Sequence, residues 1–321
     1  MKIIPVLAVL TIALGAVASA PAQTYPSKPV RMIVGFSPGS ATDVLARMVS
    51  QKLTEAWSQQ VLVDNRTGAG GSVGTGIVAK APATGYTLLF HSSAFATNAA
   101  LYQNLSYNPQ RDFVAISSVV SQPFVIVAGA SAGVRTVTEL IRAAKARPGQ
   151  INYGSAGLGS GTHLAAEKFR LEAGIDVVHV PYRGGPEATA DTIAGRVTFW
   201  FPPVGIAAPY IRDGRLLALG VTSARRSDLL LEVPTLSEAG LPGFDYTNWW
   251  GIWAPAGIPA ELVGKLAKDI ARAQAAPDLR GQFTKFGSEP MIMIPAEFAR
   301  FVRGEIDDTV RIVKAAGIKP Q

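Results

Sequence analysis

The sequence predicts an α/β fold with two domains. Strand-like and helix-like segments alternate along most of the chain, and glycine-rich loops follow several of the strand-like segments. The 321 residues suffice for two ordinary cores, because one domain usually holds roughly 100 to 200 residues. The composition, with 48% hydrophobic residues, 32 Gly and 22 Pro, is that of a globular protein with many turns.

The first 22 residues are typical of an export signal. Lys2 supplies a positive charge, the apolar run 3–17 follows it, and small residues come next. This run is too short for a good membrane span, so an uncleaved anchor is the less favoured interpretation. Pro21 disfavours cleavage directly after Ala20, and we therefore expect the mature chain to begin at Gln23.

The charge and the cysteine count narrow the class of protein. The net charge is +7 and the pI is about 9.7. A chain this basic could bind nucleic acid, an acidic membrane surface or an anionic ligand. The basic residues are scattered, so we expect no nucleic-acid binding. An exported chain without cysteine has no disulfide and no lipid-modified N-terminal cysteine, which fits a soluble periplasmic protein.

The first part of the mature chain predicts strands and helices in alternation. Short apolar segments predict three strands, at 30–34, 61–63 and 86–90. A first helix is indicated by apolar residues at helical spacing, namely Leu45, Met48, Val49, Leu53 and Trp57. A second helix is expected near 73–81. The loops lie at the carboxyl ends of the strands, where open α/β sheets bind ligands.

The second part of the chain predicts another unit of the same kind. The segment 114–128, rich in Val, Ile and Phe, predicts a long strand that carries the chain into the second domain. Further strands are expected at 177–180, 197–201 and 216–221, and helices at 137–146, 191–194 and 206–211.

The C-terminal part predicts a return to the first domain. The segment 245–254 holds three of the five tryptophans and is interpreted as the return crossing. Amphipathic helices are expected at 259–275 and 295–316, the latter with a buried stripe of Phe298, Val302, Ile306 and Val310. Two crossings between domains imply a hinged cleft that closes around a small molecule.

Two loops, 35–43 and 152–163, are dense in glycine and hydroxyl residues, and each leads directly into a predicted helix. A helix start carries N–H groups without partners and the positive end of the helix dipole, so it favours an anion. A hydrogen bond to a charged group contributes about 1.5–3 kcal/mol of binding free energy. Association costs about 4 kcal/mol or more, and micromolar affinity needs a net binding free energy of about −8 kcal/mol. We therefore expect the two loops together to bind the same carboxylate.

A secreted serine hydrolase is the alternative from another class. Residues 35–39 formally match the nucleophile elbow G-x-S-x-G, with Ser37 as the nucleophile. The residue after that serine must lend its N–H to the oxyanion hole, and Pro38 has none. The histidines at 91, 163 and 179 lack metal-ligand spacing, and no segment matches the phosphate-binding pattern G-x-x-x-x-G-K. We expect no catalysis, no metal and no cofactor.

Five motifs, in order along nearly the whole mature chain, carry a family resemblance. They are Tyr-Pro-Ser-Lys-Pro at 25–29, Pro-Gly-x-x-x-Asp at 38–43, Asn-Arg-x-Gly-Ala-Gly-Gly at 65–71, Tyr-Gly-Ser-x-Gly-x-Gly-Ser at 153–160 and Val-Pro-Tyr-Arg-Gly-Gly at 180–185. The chain resembles the Bug-type extracytoplasmic solute receptors of tripartite tricarboxylate transporters, the TctC-like family.

The resemblance implies a two-lobed periplasmic-binding-protein fold, the type II Venus flytrap, in which each lobe is a sheet flanked by helices. Lobe I would comprise 23–127 and 248–321, and lobe II 128–247. The implied partners are a small carboxylate and the membrane components of the transporter, and the receptor would act as a monomer. A ligand-sensing receptor for a signalling partner is a further interpretation.

Carried over onto this sequence, the resemblance implies two sets of ligand contacts. Those of the first lobe are Phe36, Ser37, Gly39, Ser40, Asp43 and Ser92, and those of the second lobe are Ser155, Gly159, Ser160, Thr162 and His163. Ser40 replaces a glycine common in the family, so the ligand cannot be copied from relatives. It remains open between a tricarboxylate, a dicarboxylate, an amino acid, an aromatic acid and an uncharged compound.

Overall fold

A computed structural model describes residues 25–315, and the expected export signal and its cleavage site lie outside this range. In chain order the strands are β1 (Val30–Val34), β2 (Val61–Asn65), β3 (Thr87–Ser92), β4 (Phe113–Pro123), β5 (Val125–Gly129), β6 (Asn152–Ser155), β7 (Val178–Pro181), β8 (Phe199–Trp200), β9 (Leu216–Val221), β10 (Thr247–Pro255) and β11 (Glu289–Pro290). None of the helices within the described range is both long and apolar enough to cross a membrane.

The helices alternate with these strands. They are α1 (Ala41–Trp57), α2 (Ser72–Ala79), α3 (Ala94–Leu101), α4 (Val137–Ala146), α5 (Gly161–Ala173), α6 (Gly185–Ile193), α7 (Val204–Arg212), α8 (Ala260–Ala275), α9 (Pro277–Lys285) and α10 (Pro295–Ala315). The predicted α/β fold with two sheets flanked by helices is confirmed.

The strands form two separate sheets. The first has six strands in the order β11-β4-β10-β3-β1-β2, and the second has five in the order β7-β6-β8-β5-β9. In the first sheet β1 pairs in parallel with β2 and β3, and in the second β6 pairs in parallel with β7 and β8. Parallel neighbours bring the loops after β1 and β6 to the carboxyl edges of their sheets, where the glycine-rich segments begin.

Helices cover both faces of the first sheet. Neighbouring residues of a strand point to opposite faces, so they pack against different helices. Met32 packs with α1 and α8 in one apolar cluster, whereas Ile33 packs with α2, α3 and α10 in another. The second sheet follows the same pattern, with Ile126 and Val127 in different clusters. The expected return of the C-terminal helix to the first domain is confirmed, since Phe298 lies in the cluster with Ile33.

The chain passes between the sheets at two places that lie side by side. The first is Phe124, between β4 and β5, and the second is the segment between β9 and β10. Phe124 N donates to Thr222 Oγ1 and Thr222 N to Phe124 O, each at 2.9 Å, and Tyr246 N donates to Thr222 O at 2.9 Å. These bonds tie the crossings into one narrow connection. The exact domain boundaries stay a prediction.

Several predicted elements differ from those observed. The expected single strand over 114–128 is two strands in different sheets, broken at Phe124. The sequence pattern predicts neither α3 nor α9; most residues of α3 are buried, so no polar face marks its helical period. The predicted stripe of α10 fails at its last residue, since Val310 is exposed and Thr309 is buried. Four residues of an α-helix turn through about 400°, so each step of four residues moves about 40° around the helix. After three such steps the buried face has passed to Thr309, the eleventh residue after Phe298.

Candidate functional site

The starts of α1 and α5 have the same local geometry. Ser40 precedes α1 with φ −67° and ψ 159°, and Ser160 precedes α5 with φ −70° and ψ 156°. The Ser40 side chain accepts a hydrogen bond from Asp43 N, and the Ser160 side chain accepts one from His163 N. Each serine therefore caps the third amide of its helix and leaves the first two amides unused.

These unused amides belong to Ala41 and Thr42 in α1 and to Gly161 and Thr162 in α5. Within residues 25–315 none of these four N–H groups forms a hydrogen bond. All four residues line one cavity of about 40 Å³ between the two sheets. The amino-terminal ends of two helices, one from each lobe, thus converge on a single space, an arrangement that favours an anion.

Neutral side chains form the rest of the cavity wall. The polar ones are Ser40, Thr42, Ser92, Ser160, Thr162 and Asn248, and the large apolar ones are Phe36, Trp200, Pro203, Ile206 and Trp250. None of the described residues that line the cavity carries a charge. The helix ends are accordingly the main source of positive potential in the cavity.

The predicted site residues fall into two groups. Those that line the cavity are Phe36, Ser40, Ser92, Ser160 and Thr162. Those that do not line it are Ser37, Gly39, Asp43, Ser155, Gly159 and His163. The complete set of ligand contacts stays a prediction.

Asp43 acts within its own helix start. Its Oδ2 accepts from Gly39 N at 2.9 Å and from Arg47 Nε at 3.0 Å, and its Oδ1 accepts from Asn65 Nδ2 at 2.9 Å and pairs with Arg47 at 2.9 Å. Burial by itself would raise the pKa of Asp43, but these hydrogen bonds outweigh burial and hold the pKa below its ordinary value. Asp43 is therefore an ionised support that fixes the loop before α1.

Ser37 links the two lobes. Its Oγ donates to Glu187 Oε1 at 2.9 Å, and Glu187 lies in the first turn of α6. The backbone of Gly184 packs against Ser37 so closely that an added Cβ would lie 2.6 Å from Ser37 Oγ. Ser37 thus has a carboxylate partner in the other lobe, and not the histidine that a serine nucleophile requires.

The remaining second-lobe residues form a buried layer behind the cavity. Ser155 Oγ lies 2.6 Å from His179 Nε2 and accepts from Gly157 N at 3.1 Å. The ring of His163 stacks on His179 with a centroid distance of 4.3 Å. Neither Ser155 nor His179 lines the cavity, so this serine–histidine pair supports the loop.

All three histidines are held neutral. Burial lowers the pKa of His91 to about 4. Burial, and to a smaller extent the charge of Arg170, lowers the pKa of His163 to about 4. Burial, and to a smaller extent the neighbouring His163, lowers the pKa of His179 to about 3. The layer behind the cavity therefore carries no histidine charge at neutral pH.

Several cavity residues lie outside the predicted set of contacts, chiefly Ala41, Thr42, Gly161, Trp200, Asn248 and Trp250. Ala41 and Gly161 offer only backbone atoms, so their side chains give no signal. Their position directly after a capping serine is the one sequence feature that identifies them. Trp250 lies in the segment interpreted as the return crossing, and its Nε1 donates to Thr42 Oγ1 at 3.0 Å at the cavity wall.

The lobes touch each other around the cavity. Tyr102 Oη donates to Leu158 O at 3.3 Å. A Cβ added to Gly70 would lie 2.1 Å from Leu158 O, and one added to Gly159 would lie 2.4 Å from Asn98 Oδ1. The structure is therefore a closed form in which glycines allow the backbones of the two lobes to meet.

Other candidate sites are weaker. A larger groove of about 380 Å³, lined by Ser121, Arg225, Asp245 and Glu289 among others, includes no helix start. Within residues 25–315 no group of three His, Asp or Glu side chains is arranged to hold a metal ion.

Comparison with known proteins places the chain in a family. The model of the tripartite tricarboxylate transporter family receptor matches residues 45–318. The chain belongs to this receptor family. A relative from Pseudomonas sp. (strain P51), the UPF0065 protein in the tcbD-tcbE intergenic region, is 38% identical over 292 residues, which are 91% of this chain and 87% of the relative.

Solved structures agree with this assignment. R. palustris Rpa4515 with adipate matches with a TM-score of 0.89 and 32% identity, over 92% of this chain and 100% of that chain. The periplasmic binding protein BugD matches with a TM-score of 0.89 and 31% identity, over the same shares of 92% and 100%. The predicted family and the two-lobed periplasmic-binding-protein fold are confirmed.

Receptors of this family bind small carboxylates and work with a transporter, so this member is a periplasmic-type solute receptor and not an enzyme. The hydrolase alternative built on Ser37 is not favoured.

Proposed function

We propose that this receptor captures one small carboxylate between the starts of α1 and α5 and delivers it to the membrane components of a tripartite tricarboxylate transporter. The direct contacts would be the N–H groups of Ala41, Thr42, Gly161 and Thr162, together with the hydroxyls of the cavity wall. Residues such as Asp43 and His163 would hold those contacts in place.

One observation carries the proposal: N–H groups without partners, from one helix of each lobe, line the same uncharged cavity. Each hydrogen bond to a carboxylate contributes about 1.5–3 kcal/mol, so two bonds from one lobe barely exceed the association cost of about 4 kcal/mol. Four bonds from two lobes contribute about 6–12 kcal/mol, and the upper end of this range, after the association cost, reaches the roughly −8 kcal/mol of micromolar binding. The related R. palustris receptor described with adipate supports a carboxylate as the ligand.

The setting of this function follows from the sequence. We propose removal of the export signal before Gln23, release into the periplasm and action as a monomer. Release of the ligand would accompany opening of the lobes about the connection formed by Phe124, Thr222 and Tyr246.

The test is a thermal-shift screen of the mature receptor against carboxylates, followed by calorimetric titration of the hits. Ligand at about 100 times its dissociation constant adds about 2.7 kcal/mol to the folded state. Each hit is compared with its primary amide, which has the same shape without the charge. We expect binding of the acid and at least about a tenfold loss with the amide. Equal binding of both forms, or no hit among the acids, contradicts the proposal.

A further inference from the structure

We propose that a basic groove beside α4, at the outer edge of the second sheet, docks an acidic segment of the transporter's membrane components. The inference rests on the proposed function, which supplies a membrane partner, and adds the surface that this partner recognises. It is carried by three arginines without acidic partners, by the shape of the groove and by its place on the second sheet.

The basic groove has a volume of about 730 Å³. Its basic lining residues are Arg135, Arg142 and Arg147, all of them exposed, and its acidic lining residue is Glu139. No two of these arginines are neighbours in the sequence, so the pattern of basic residues along the chain does not reveal them as one group. The start and the end of α4 bring them together around one concave surface.

The positive charge of the basic groove is not neutralised by the protein itself. Within residues 25–315 none of the three guanidinium groups forms an ion pair, whereas the exposed Arg196 and Arg226 each pair with a carboxylate. Glu139 is engaged in the start of α4, where its Oε2 accepts from Arg135 N at 2.7 Å and its N donates to Thr136 Oγ1 at 3.1 Å. The three side chains are therefore available to an acidic partner.

Positive charge is concentrated in this part of the second domain. Residues 135–147 contain four basic side chains and one acidic side chain. The rest of the segment 128–247 contains eight basic and ten acidic side chains. The basic groove thus stands out from its own domain, and such a local field attracts and orients a partner of opposite charge.

The shape and the chemistry of the basic groove favour a chain segment that carries carboxylates. Its other lining residues are Ala130, Gly133, Val134, Ala143, Ala146 and Leu217. None of these is a large, exposed apolar side chain, so the basic groove lacks the anchor that an apolar partner needs. A guanidinium group binds a carboxylate through two parallel hydrogen bonds. A narrow segment can enter a concave surface, whereas a flat bilayer only covers it.

The basic groove lies away from the ligand cavity. Gly129 ends β5 beside Leu216, which begins β9, and the next residues, Ala130 and Leu217, line the basic groove. Because β5 is antiparallel to β8 and β8 is parallel to β6, this is the edge of the sheet at which β6 begins. The ligand cavity lies at the opposite edge, beyond the end of β6 at Ser155. A partner docked in the basic groove therefore leaves the lobes free to open and close.

Fluorescence anisotropy of a labelled hexaglutamate peptide tests the basic groove, with hexaglutamine as the uncharged comparison. The groove variant of the mature receptor combines Arg135→Gln, Arg142→Gln and Arg147→Gln. The control variant loses the same charge at exposed arginines that form no ion pair within the described residues and do not line the groove, by Arg272→Gln, Arg280→Gln and Arg300→Gln.

We expect the parent receptor to bind hexaglutamate and not hexaglutamine. The groove variant should bind hexaglutamate at least about tenfold more weakly, and the control variant should stay within about threefold of the parent. A smaller loss in the groove variant, or an equal loss in the control variant, overturns the inference.

Two further probes separate other sources of negative charge. If vesicles of phosphatidylglycerol and phosphatidylcholine bind through the same arginines more tightly than the peptide does, the partner is a membrane surface and the inference is overturned. If inorganic phosphate displaces hexaglutamate at an equal or lower concentration, the basic groove is a small-anion site, which also overturns the inference.

Uptake tests whether the basic groove serves the transporter. Cells that carry the receptor and the membrane components are given the carboxylate that the thermal-shift screen identifies. The groove variant should bind this carboxylate like the parent but support uptake at least about fivefold more slowly, while the control variant supports the parental rate. Unchanged uptake overturns the inference. A receptor that binds no carboxylate contradicts the proposed function, and the peptide titration decides the inference in either case.

Discussion

At the scale of single residues, the site separates support from contact. Ser40 and Ser160 each satisfy the third amide of a helix, which leaves the first two amides for a ligand. Asp43 and the histidine layer complete the support without lining the cavity. The side chains that line the cavity are thus neutral, and the charged pair of Asp43 and Arg47 does not line it.

Trp250 orients one hydroxyl of the site. Its Nε1 donates to Thr42 Oγ1 at 3.0 Å, so that oxygen is held as an acceptor and its own proton is free for a carboxylate. We expect Trp250→Phe to weaken ligand binding about three- to tenfold, since one hydrogen bond is worth about 0.5–1.5 kcal/mol. Trp253→Phe in the same strand is the control, because Trp253 stacks on Phe95 away from the cavity. Calorimetry that finds equal affinity for both variants contradicts this role.

The buried histidines predict a loss of stability in acid. Their pKa values of about 4, 4 and 3 in the folded chain lie below the ordinary 6.5, so the unfolded chain takes up protons first as the pH falls. Each histidine then lowers the free energy of unfolding by up to about 1.4 kcal/mol per pH unit between about pH 6.5 and its folded pKa.

His91→Asn isolates one of these contributions, because the asparagine oxygen can replace Nδ1 as the acceptor for Ser92 N. Urea unfolding at about pH 6 and about pH 5 should give a slope of stability against pH that is smaller than in the parent receptor by about 1 kcal/mol per unit. An unchanged slope would mean that His91 is not held neutral. A difference in stability between the variant and the parent receptor that is the same at both pH values has no bearing on this test.

At the scale of elements, the starts of α1 and α5 have the same proposed role in binding the ligand. Their backbone N–H groups can be removed one at a time by substitution. Ala41→Pro removes one N–H at the first helical position, where proline is tolerated. The preceding Ser40 already has the extended φ and ψ that proline demands. We expect a loss of affinity of about ten- to 150-fold with little change in melting temperature.

Ala260→Pro is the matched control for this deletion. Ala260 is the first residue of α8, is exposed and follows a residue with φ −56° and ψ 137°. The same chemical change there should leave ligand affinity intact. If Ala41→Pro binds as tightly as Ala260→Pro in calorimetric titration, the start of α1 is not a ligand contact.

The sequence predicts helices and strands better than it predicts the residues that line the cavity, for a physical reason. Strands such as β1 and helices such as α1 repeat apolar residues at a fixed spacing, and the core requires that spacing. The α3 helix is buried on most sides and lacks this pattern. Ala41 and Gly161 act through backbone atoms that every residue possesses, and Asn248 and Trp250 reach the cavity only after a distant strand returns to the first sheet.

At the scale of the whole molecule, the proposed binding mode requires the two lobes to be closed. The two lobes share a narrow connection at Phe124, Thr222 and Tyr246, while Ser37 and Glu187 join them at the cavity. In the proposed function the ligand would complete this contact by occupying the amides of both helix starts. A substitution that keeps the lobes apart should therefore abolish tight binding without touching a ligand contact.

Gly70 provides that test. It has φ +59°, and an added Cβ would lie 2.1 Å from Leu158 O of the opposite lobe. Gly174 also has φ +59° but has nothing within 4 Å of an added Cβ. Both alanine variants carry backbone strain of about 1–2 kcal/mol, and only Gly70→Ala obstructs closure. We expect Gly70→Ala to lose at least about tenfold in affinity and to show no ligand-induced decrease in radius of gyration by X-ray scattering. Gly174→Ala should close like the parent receptor, and a Gly70→Ala receptor that compacts equally on ligand addition would exclude this contact as part of the closed state.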